Sequence, residues 1–178
     1  HIAGIVGSLL STTATCTISG CTNEGNITYA NGTESGGGSM ANNRYCYTAG
    51  IVGHHSSKGE IINCTNSGII TNKLGTSQAV GIRVGGIVGN LIYANLTNCK
   101  NRGEVKDEST SPGGFVGGIA GLISTTKITL TDCDNTATVS AKFGSESRST
   151  KVNRNTVYIG GIAGGSNSEI ILNGCDNA

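Results

Sequence analysis

Apolar positions in this chain come in short clusters separated by polar, Gly-rich stretches, and the clusters repeat in a fixed order. A block of the form Ala/Gly-Gly-Ile-Val/Ala-Gly occurs five times, at 3–7, 49–53, 85–89, 117–121 and 160–164. Ten to fourteen residues after each block comes a Cys-x-Asn, giving Cys21 and Asn23, Cys64 and Asn66, Cys99 and Asn101, Cys133 and Asn135, and Cys175 and Asn177. An aliphatic residue stands three positions before every Cys (Ile18, Ile61, Leu96, Leu130, Leu172), and a β-branched one six positions after the first four (Ile27, Ile70, Val105, Val139). No long run places apolar residues at i, i+3, i+4 and i+7, so helix is not indicated.

Each unit therefore predicts three short β segments: one in the Gly-Ile-Val-Gly block, one ending at Cys, and one carrying the β-branched residue. None can bury an apolar face alone. Stacking equivalent segments at the usual strand spacing of about 4.8 Å pairs their backbones and aligns identical side chains. The expected fold is all-β, a β-solenoid of about five coils resembling a parallel β-helix. Aliphatic and Cys columns would fill its interior, and the asparagines would form a hydrogen-bonded column at a corner.

The pattern predicts a single repeat domain over 1–178, with units starting near 3, 49, 85, 117 and 160. Because the chain opens inside one block and closes inside a Cys-Asp-Asn, it is expected to be an excerpt of a longer repeat protein. Successive blocks lie 46, 36, 32 and 43 residues apart, last Gly to last Gly. The excess falls between the β-branched position and the next block, in the polar segments 29–47, 71–83, 106–112 and 140–158. These read as variable loops on one side of the stack.

Composition removes several function classes. Of 178 residues 29 are Gly, only seven are Tyr or Phe, and none is Trp. Alone this would suggest disorder, but the repeat assigns many glycines to bends and close contacts. A formal net charge of +1 offers no field for nucleic acid. No segment approaches the roughly 20 apolar residues of a membrane span. The sequons at Asn26, Asn31, Asn63 and Asn95 carry little weight in a chain this rich in Asn and Thr.

Of the seven cysteines, five share one repeat position and read as an unpaired interior ladder. Vertical disulfides within that column are conceivable, and a Cys16–Cys46 bridge is a minor alternative. No Cys or His spacing suits zinc. His54 and His55 follow the second block and read as solvated turn residues. For sugar cleavage, two carboxylates would have to face one substrate. The candidates are Asp132, Asp134 and Asp176, with Glu104, Asp107 and Glu108. Asp134 and Asp176 should stack as a solvated like-charged pair, with cation binding there as the alternative, and 104–108 should be an exposed charge cluster starting a loop. Thr129 and Thr131, with Thr97 and Ser19, hint at a flat Thr array, but Ile62 and Asn173 interrupt the column. Gly36–Gly38 lacks the Lys-Ser/Thr of a phosphate loop.

The quoted motif, Gly-Gly-Ile-Val-Gly followed by Asn-Cys-Thr-Asn-x-Gly-x-Ile, resembles the GLUG-type and related Gly-rich repeats of bacterial surface proteins, common in gut Bacteroidetes. Ala3, Ala49 and Ala137 depart from it. The resemblance implies an exported, cell-surface or fibre-like location, with adhesion or spacing as the role. With no convergent catalytic set, the expectation is a noncatalytic surface module without metal or cofactor, acting as a scaffold or adhesin whose loops meet a protein or glycan. A fibre protomer associating end to end, and a polysaccharide-cleaving β-helix, are the alternatives.

Overall fold

The first four repeat units each turn once around a common axis, and the fifth runs through the first four walls. The computed structural model describes residues 1–11, 13–30, 44–73, 79–109, 113–124, 127–142 and 156–178. Among these every regular element is a β-strand, and the strands form five stacked parallel walls. The first wall holds Ile2–Ala3, Arg44–Ala49, Ala79–Gly85, Gly114–Gly117 and Val157–Gly160. The second holds Val6–Leu9, Val52–His55, Val88–Leu91, Ala120–Ile123 and Ala163–Ser166. Thr15–Ser19, Lys58–Ile62, Ala94–Thr97, Ile128–Thr131 and Ile170–Asn173 make the third. The fourth consists of two-residue strands ending in Asn23, Asn66, Asn101, Asn135 and Asn177. Ile27–Ala30, Ile70–Lys73, Val105–Asp107 and Val139–Ala141 make the fifth.

The β-solenoid of five coils is therefore the observed fold, with more strands per coil than the three segments expected. The Gly block is not one strand: its second Gly and its Ile form the bend between the first two walls. The Cys does not end a strand either, but occupies the corner between the third and fourth. Backbone pairing runs through these corners, as in Gly50 N to Gly86 O at 3.0 Å and Lys100 N to Cys64 O at 2.9 Å, so the bends are hydrogen-bonded like the walls. The residue before each Cys is left-handed: Gly20 (φ 66°), Asn63 (54°), Asn98 (49°), Asp132 (51°) and Gly174 (61°). These are the residue types that tolerate that conformation.

The interior is divided into two lobes. One, between the second and third walls, is built from Ile51, Ile87, Leu91, Leu96, Ile119, Ile123, Leu130 and the thiols Cys64, Cys99 and Cys133. The other, between the fifth and first, contains Cys46, Ile70, Ile82, Val84, Val105 and Val116. Each fully buried Leu or Ile contributes about 1.5–3 kcal/mol, which takes the place of absent aromatic cores.

The asparagine column stands where the fourth wall turns into the fifth, the corner expected, and it is buried between the lobes at Asn66, Asn101 and Asn135. Asn23 Nδ2 donates to Asn66 Oδ1 at 2.8 Å, Asn66 to Asn101 at 2.8 Å, Asn101 to Asn135 at 2.7 Å, and Asn135 to Asn177 at 2.8 Å. The second amide hydrogen of Asn23, Asn66, Asn101 and Asn135 goes to the carbonyl two residues on, at Gly25, Gly68, Gly103 and Ala137. The bend glycines Gly4, Gly50, Gly86, Gly118 and Gly161 press against these carboxamides, and a Cβ on any of them would run into the Asn of its own coil. A buried amide without partners would cost about 1–3 kcal/mol per group; here the stacking satisfies it.

The variable segments are shorter than the sequence suggested, because their ends are strand. Tyr29–Ala30 and Arg44–Tyr47, for example, lie in the fifth and first walls. Residues 31–43, 74–78, 110–112 and 143–155, Gly36–Gly38 and Asn31 among them, lie outside the described residues. All four segments leave the fifth wall and re-enter at the first.

Candidate functional site

The outward residues of the first wall form one column through the coils: Tyr47, Arg83, Phe115 and Tyr158 are in register. Their neighbours on the second wall are Ser8, His54, Asn90, Leu122 and Gly165, also in register. The two walls can fold against each other because Gly53, Gly89, Gly121 and Gly164 carry no side chain at the crease. A Cβ on Gly89, for instance, would press on the Gly53 carbonyl, the Arg83 carbonyl and the Thr48 amide. The planar side chains of one wall thus meet the second wall's side chains in a concave seam.

Several ring contacts hold the seam. Tyr47 lies edge-on to His54 with centroids 4.9 Å apart and is tilted against Tyr45 at 5.9 Å. The Arg83 guanidinium carbon sits 5.0 Å from the Tyr45 centroid and 4.9 Å from that of Tyr47, a cation–π arrangement. Arg83 Nη1 donates to Tyr47 Oη at 3.1 Å and to Ser124 Oγ at 3.3 Å, and Ser124 Oγ donates to Asn90 Oδ1 at 2.6 Å. Phe115 and Tyr158 stack at 5.0 Å with planes 8° apart, and Gly165 leaves room for the Phe115 ring. Tyr47 is buried, whereas Tyr45 and Tyr158 are about half exposed, at 48% and 50%.

Electrostatics in the seam follow from partial burial. Burial holds the His54 pKa down to about 4, helped by the Arg83 charge and by His55, so the ring is neutral at ordinary pH. Burial also lowers Arg83, against the opposing effect of the two tyrosines, and raises Tyr47 against Arg83. Both ring nitrogens of His54, Arg83 Nε and Asn90 Nδ2 are buried without a hydrogen-bond partner. The seam therefore offers π faces, one cation and unmatched donors.

Sequence reasoning missed this column, although a signal was present. The residue two positions before each Gly block is planar in every copy: His1, Tyr47, Arg83, Phe115 and Tyr158. His54 and His55 are not solvated turn residues, as expected, but part of strand Val52–His55. His55 is fully buried in register with Leu9 and Leu91, and its ring nitrogens have no hydrogen-bond partner. Burial lowers its pKa, opposed by the neighbouring backbone of Cys16 and Ser57. Such a residue is unexpected in a Leu column because it must stay neutral there.

The Cys column lies in the first lobe, with Cys64, Cys99 and Cys133 buried and Cys21 and Cys175 partly exposed. All seven cysteines are unpaired. Their thiols donate mainly to backbone carbonyls, Cys99 Sγ to Ile61 O at 3.3 Å and Cys175 Sγ to Leu130 O at 3.4 Å. Hydrogen bonding with Cys133 and Cys64, together with burial, holds the Cys99 thiol well above the ordinary range. Cys16 sits on the third wall and Cys46 on the first, in the other lobe, so the two do not meet.

The carboxylates are dispersed. Asp132 occupies the left-handed corner. Asp134 and Asp176 are in register as expected, but Lys100 stands below Asp134 with its ammonium 3.7 Å away. Glu104 pairs with Lys106 at 2.6 Å and Glu108 with Lys73 at 3.6 Å. Asp107 departs from the exposed cluster expected: it is buried in strand Val105–Asp107, accepting from Asn72 Nδ2 at 2.9 Å and Ser109 N at 3.0 Å. Burial raises its pKa against those bonds. Cys46 Sγ donates to Asn72 Oδ1 at 3.6 Å, completing a buried polar chain in the second lobe. Ser19, Ile62, Thr97, Thr131 and Asn173 share one column of the third wall.

Among the described residues, no group of three or more His, Cys, Asp or Glu side chains is placed to hold a metal ion, and no helix is long and apolar enough to cross a membrane. No curated protein and no solved structure matches the chain. The GLUG motif, however, matches residues 45–71 and 80–106. Each match runs from the first wall to the fifth of one coil, so one motif is one full turn, and this solenoid carries the GLUG motif twice.

Proposed function

We propose that the chain is a noncatalytic extracellular or cell-surface module, an adhesin-type scaffold whose variable segments meet a protein or glycan partner. One observation carries this reading. Apart from a bulge at Ala79–Gly81, the paired strands keep register along the walls, while the largest length differences between coils fall between the fifth wall and the first, with smaller ones between the second and the third. A frame held constant with most variation at one edge suits a support for recognition loops. The GLUG motif supports the surface location through the company such repeats keep.

The test replaces residues 31–43, or all four variable segments, by short Gly-Ser links. Beads coated with each protein are then scored for adhesion to immobilised mucin and extracellular-matrix protein. Retained β-type circular dichroism with altered adhesion is expected. Loss of the β signal, or adhesion unchanged when all four segments are replaced, would overturn the reading.

A further inference from the structure

We propose that the seam between the first and second walls is a binding site for a carboxylated glycan, with Arg83 holding the sugar carboxylate and the half-exposed Tyr45 ring packing against a sugar ring. This goes beyond the surface-module reading: beside the partner met by the variable segments, it adds a second recognition site on the frame.

Three observations point this way. First, Arg83 has no carboxylate partner among the described residues: its guanidinium faces the Tyr45 and Tyr47 rings and donates only to the Tyr47 and Ser124 hydroxyls. A partly buried cation without a counter-ion favours an incoming anion, and guanidinium presents a planar fork matched to carboxylate. Second, the unmatched polar atoms around it are mostly donors: Arg83 Nε, Asn90 Nδ2 and one ring nitrogen of neutral His54, whose other ring nitrogen is an acceptor. Unmatched donors therefore outnumber unmatched acceptors in the seam, an imbalance that a carboxylate and ring hydroxyl oxygens would offset. Third, aromatic side chains recur along the stack. Tyr45 is about half exposed beside Arg83, and the stacked Phe115–Tyr158 pair follows in the neighbouring Tyr47 column, two and three coils on.

Aromatic side chains repeated along coils spaced about 4.8 Å apart suit a polymer of rings lying along the axis. A single acidic side chain from a protein would use Arg83 and leave the rest of the row empty. That difference favours the glycan.

The test uses isothermal titration of the 178-residue chain with three probes: an oligogalacturonate, a neutral galactose oligomer of the same length, and oligoglutamate. Binding of the oligogalacturonate, weakened by added salt, is expected, with the other two at least tenfold weaker. Arg83→Gln should weaken it at least tenfold and Tyr45→Ala several-fold. Tyr45→Ala removes an exposed ring, so it reports even where Arg83→Gln disturbs the seam. Replacing residues 31–43 should leave the affinity unchanged, which separates failure here from failure of the loop-centred reading. No binding by the unsubstituted chain, equal binding of the neutral oligomer or of oligoglutamate, or affinity indifferent to both substitutions would overturn the proposal.

Discussion

Gly86 and Asn101 share one point of the cross-section. A Cβ on the glycine would run into the Asn101 carboxamide, which from that position donates to Asn135 Oδ1 at 2.7 Å and to the Gly103 carbonyl at 2.9 Å. The same pairing recurs in every coil, so the bend glycine and the ladder asparagine form one device. The glycine brings the first bend close to the fourth wall, and the asparagine satisfies the polar backbone exposed between the two lobes.

Gly86→Ala should therefore be severe, because its Cβ also meets the Gly118 carbonyl, part of a backbone that cannot swing aside. A loss of about 3 kcal/mol or more is expected, comparable to the worst overpacking. Gly7→Ala is the control, since its Cβ would find only the His1 carbonyl at 3.5 Å. That change should stay within about 0.5 kcal/mol. Urea denaturation of both variants decides it.

The left-handed corner before each Cys gives a second expectation. Asp132→Gly places there the residue already found at Gly20 and Gly174, and should be neutral or stabilising by up to about 1 kcal/mol. Asn63→Val puts a β-branched residue at φ 54° and removes the acceptor of Asn98 Nδ2, so about 2 kcal/mol should be lost. Thermal melts of the two variants should move in opposite directions, or Asp132→Gly should stay still.

Buried histidine links stability to pH. The folded pKa of His55 lies below its ordinary 6.5, as does that of His54, at about 4. Their contribution is intact above pH 6.5 and falls as pH drops through the window from 6.5 toward 4, because the unfolded chain takes up protons the native one refuses. Asp107 works in the opposite sense: its raised pKa means stability is lost as pH rises from 3.8 through the folded value. His55→Leu, matching Leu9 and Leu91, should flatten the melting-temperature profile between pH 6.5 and 4 and raise stability at pH 7. An unchanged slope would show that His55 is not buried.

Thiol accessibility should follow the column. Under native conditions a bulky alkylating reagent should modify Cys16, Cys21 and Cys175 while Cys46, Cys64, Cys99 and Cys133 stay protected. After unfolding without reductant all seven should react. Fewer than seven would reveal a disulfide.

The repeated Cys, Asn and Gly positions made the stacking legible, because a solenoid turns sequence identity into vertical alignment. What stayed hidden depended on direction within a strand. Val52 and His55 are three apart, yet both align with residues facing the same lobe, Val88 and Leu91, because the ladder skips the intervening glycine. Period-2 reasoning therefore could not see His55 as interior. Asp107 was hidden for a related reason: polar flanks made Val105–Asp107 look like the start of a loop, and its partners Asn72 and Ser109 come from two different coil positions. The planar column was present in the letters but mixed Tyr, Phe, His and Arg, which share shape rather than hydropathy.

The buried ladder is tested most directly by urea denaturation of Asn101→Ala beside the unsubstituted chain. Removing that carboxamide leaves the Asn66 amide hydrogen donated to Asn101 Oδ1, Asn135 Oδ1 and the Gly103 carbonyl without partners, at about 1–3 kcal/mol each. A lowered midpoint corresponding to about 3 kcal/mol or more, with β-type circular dichroism retained in water, is the expected result. A midpoint unmoved by the substitution would contradict an asparagine column buried between two lobes.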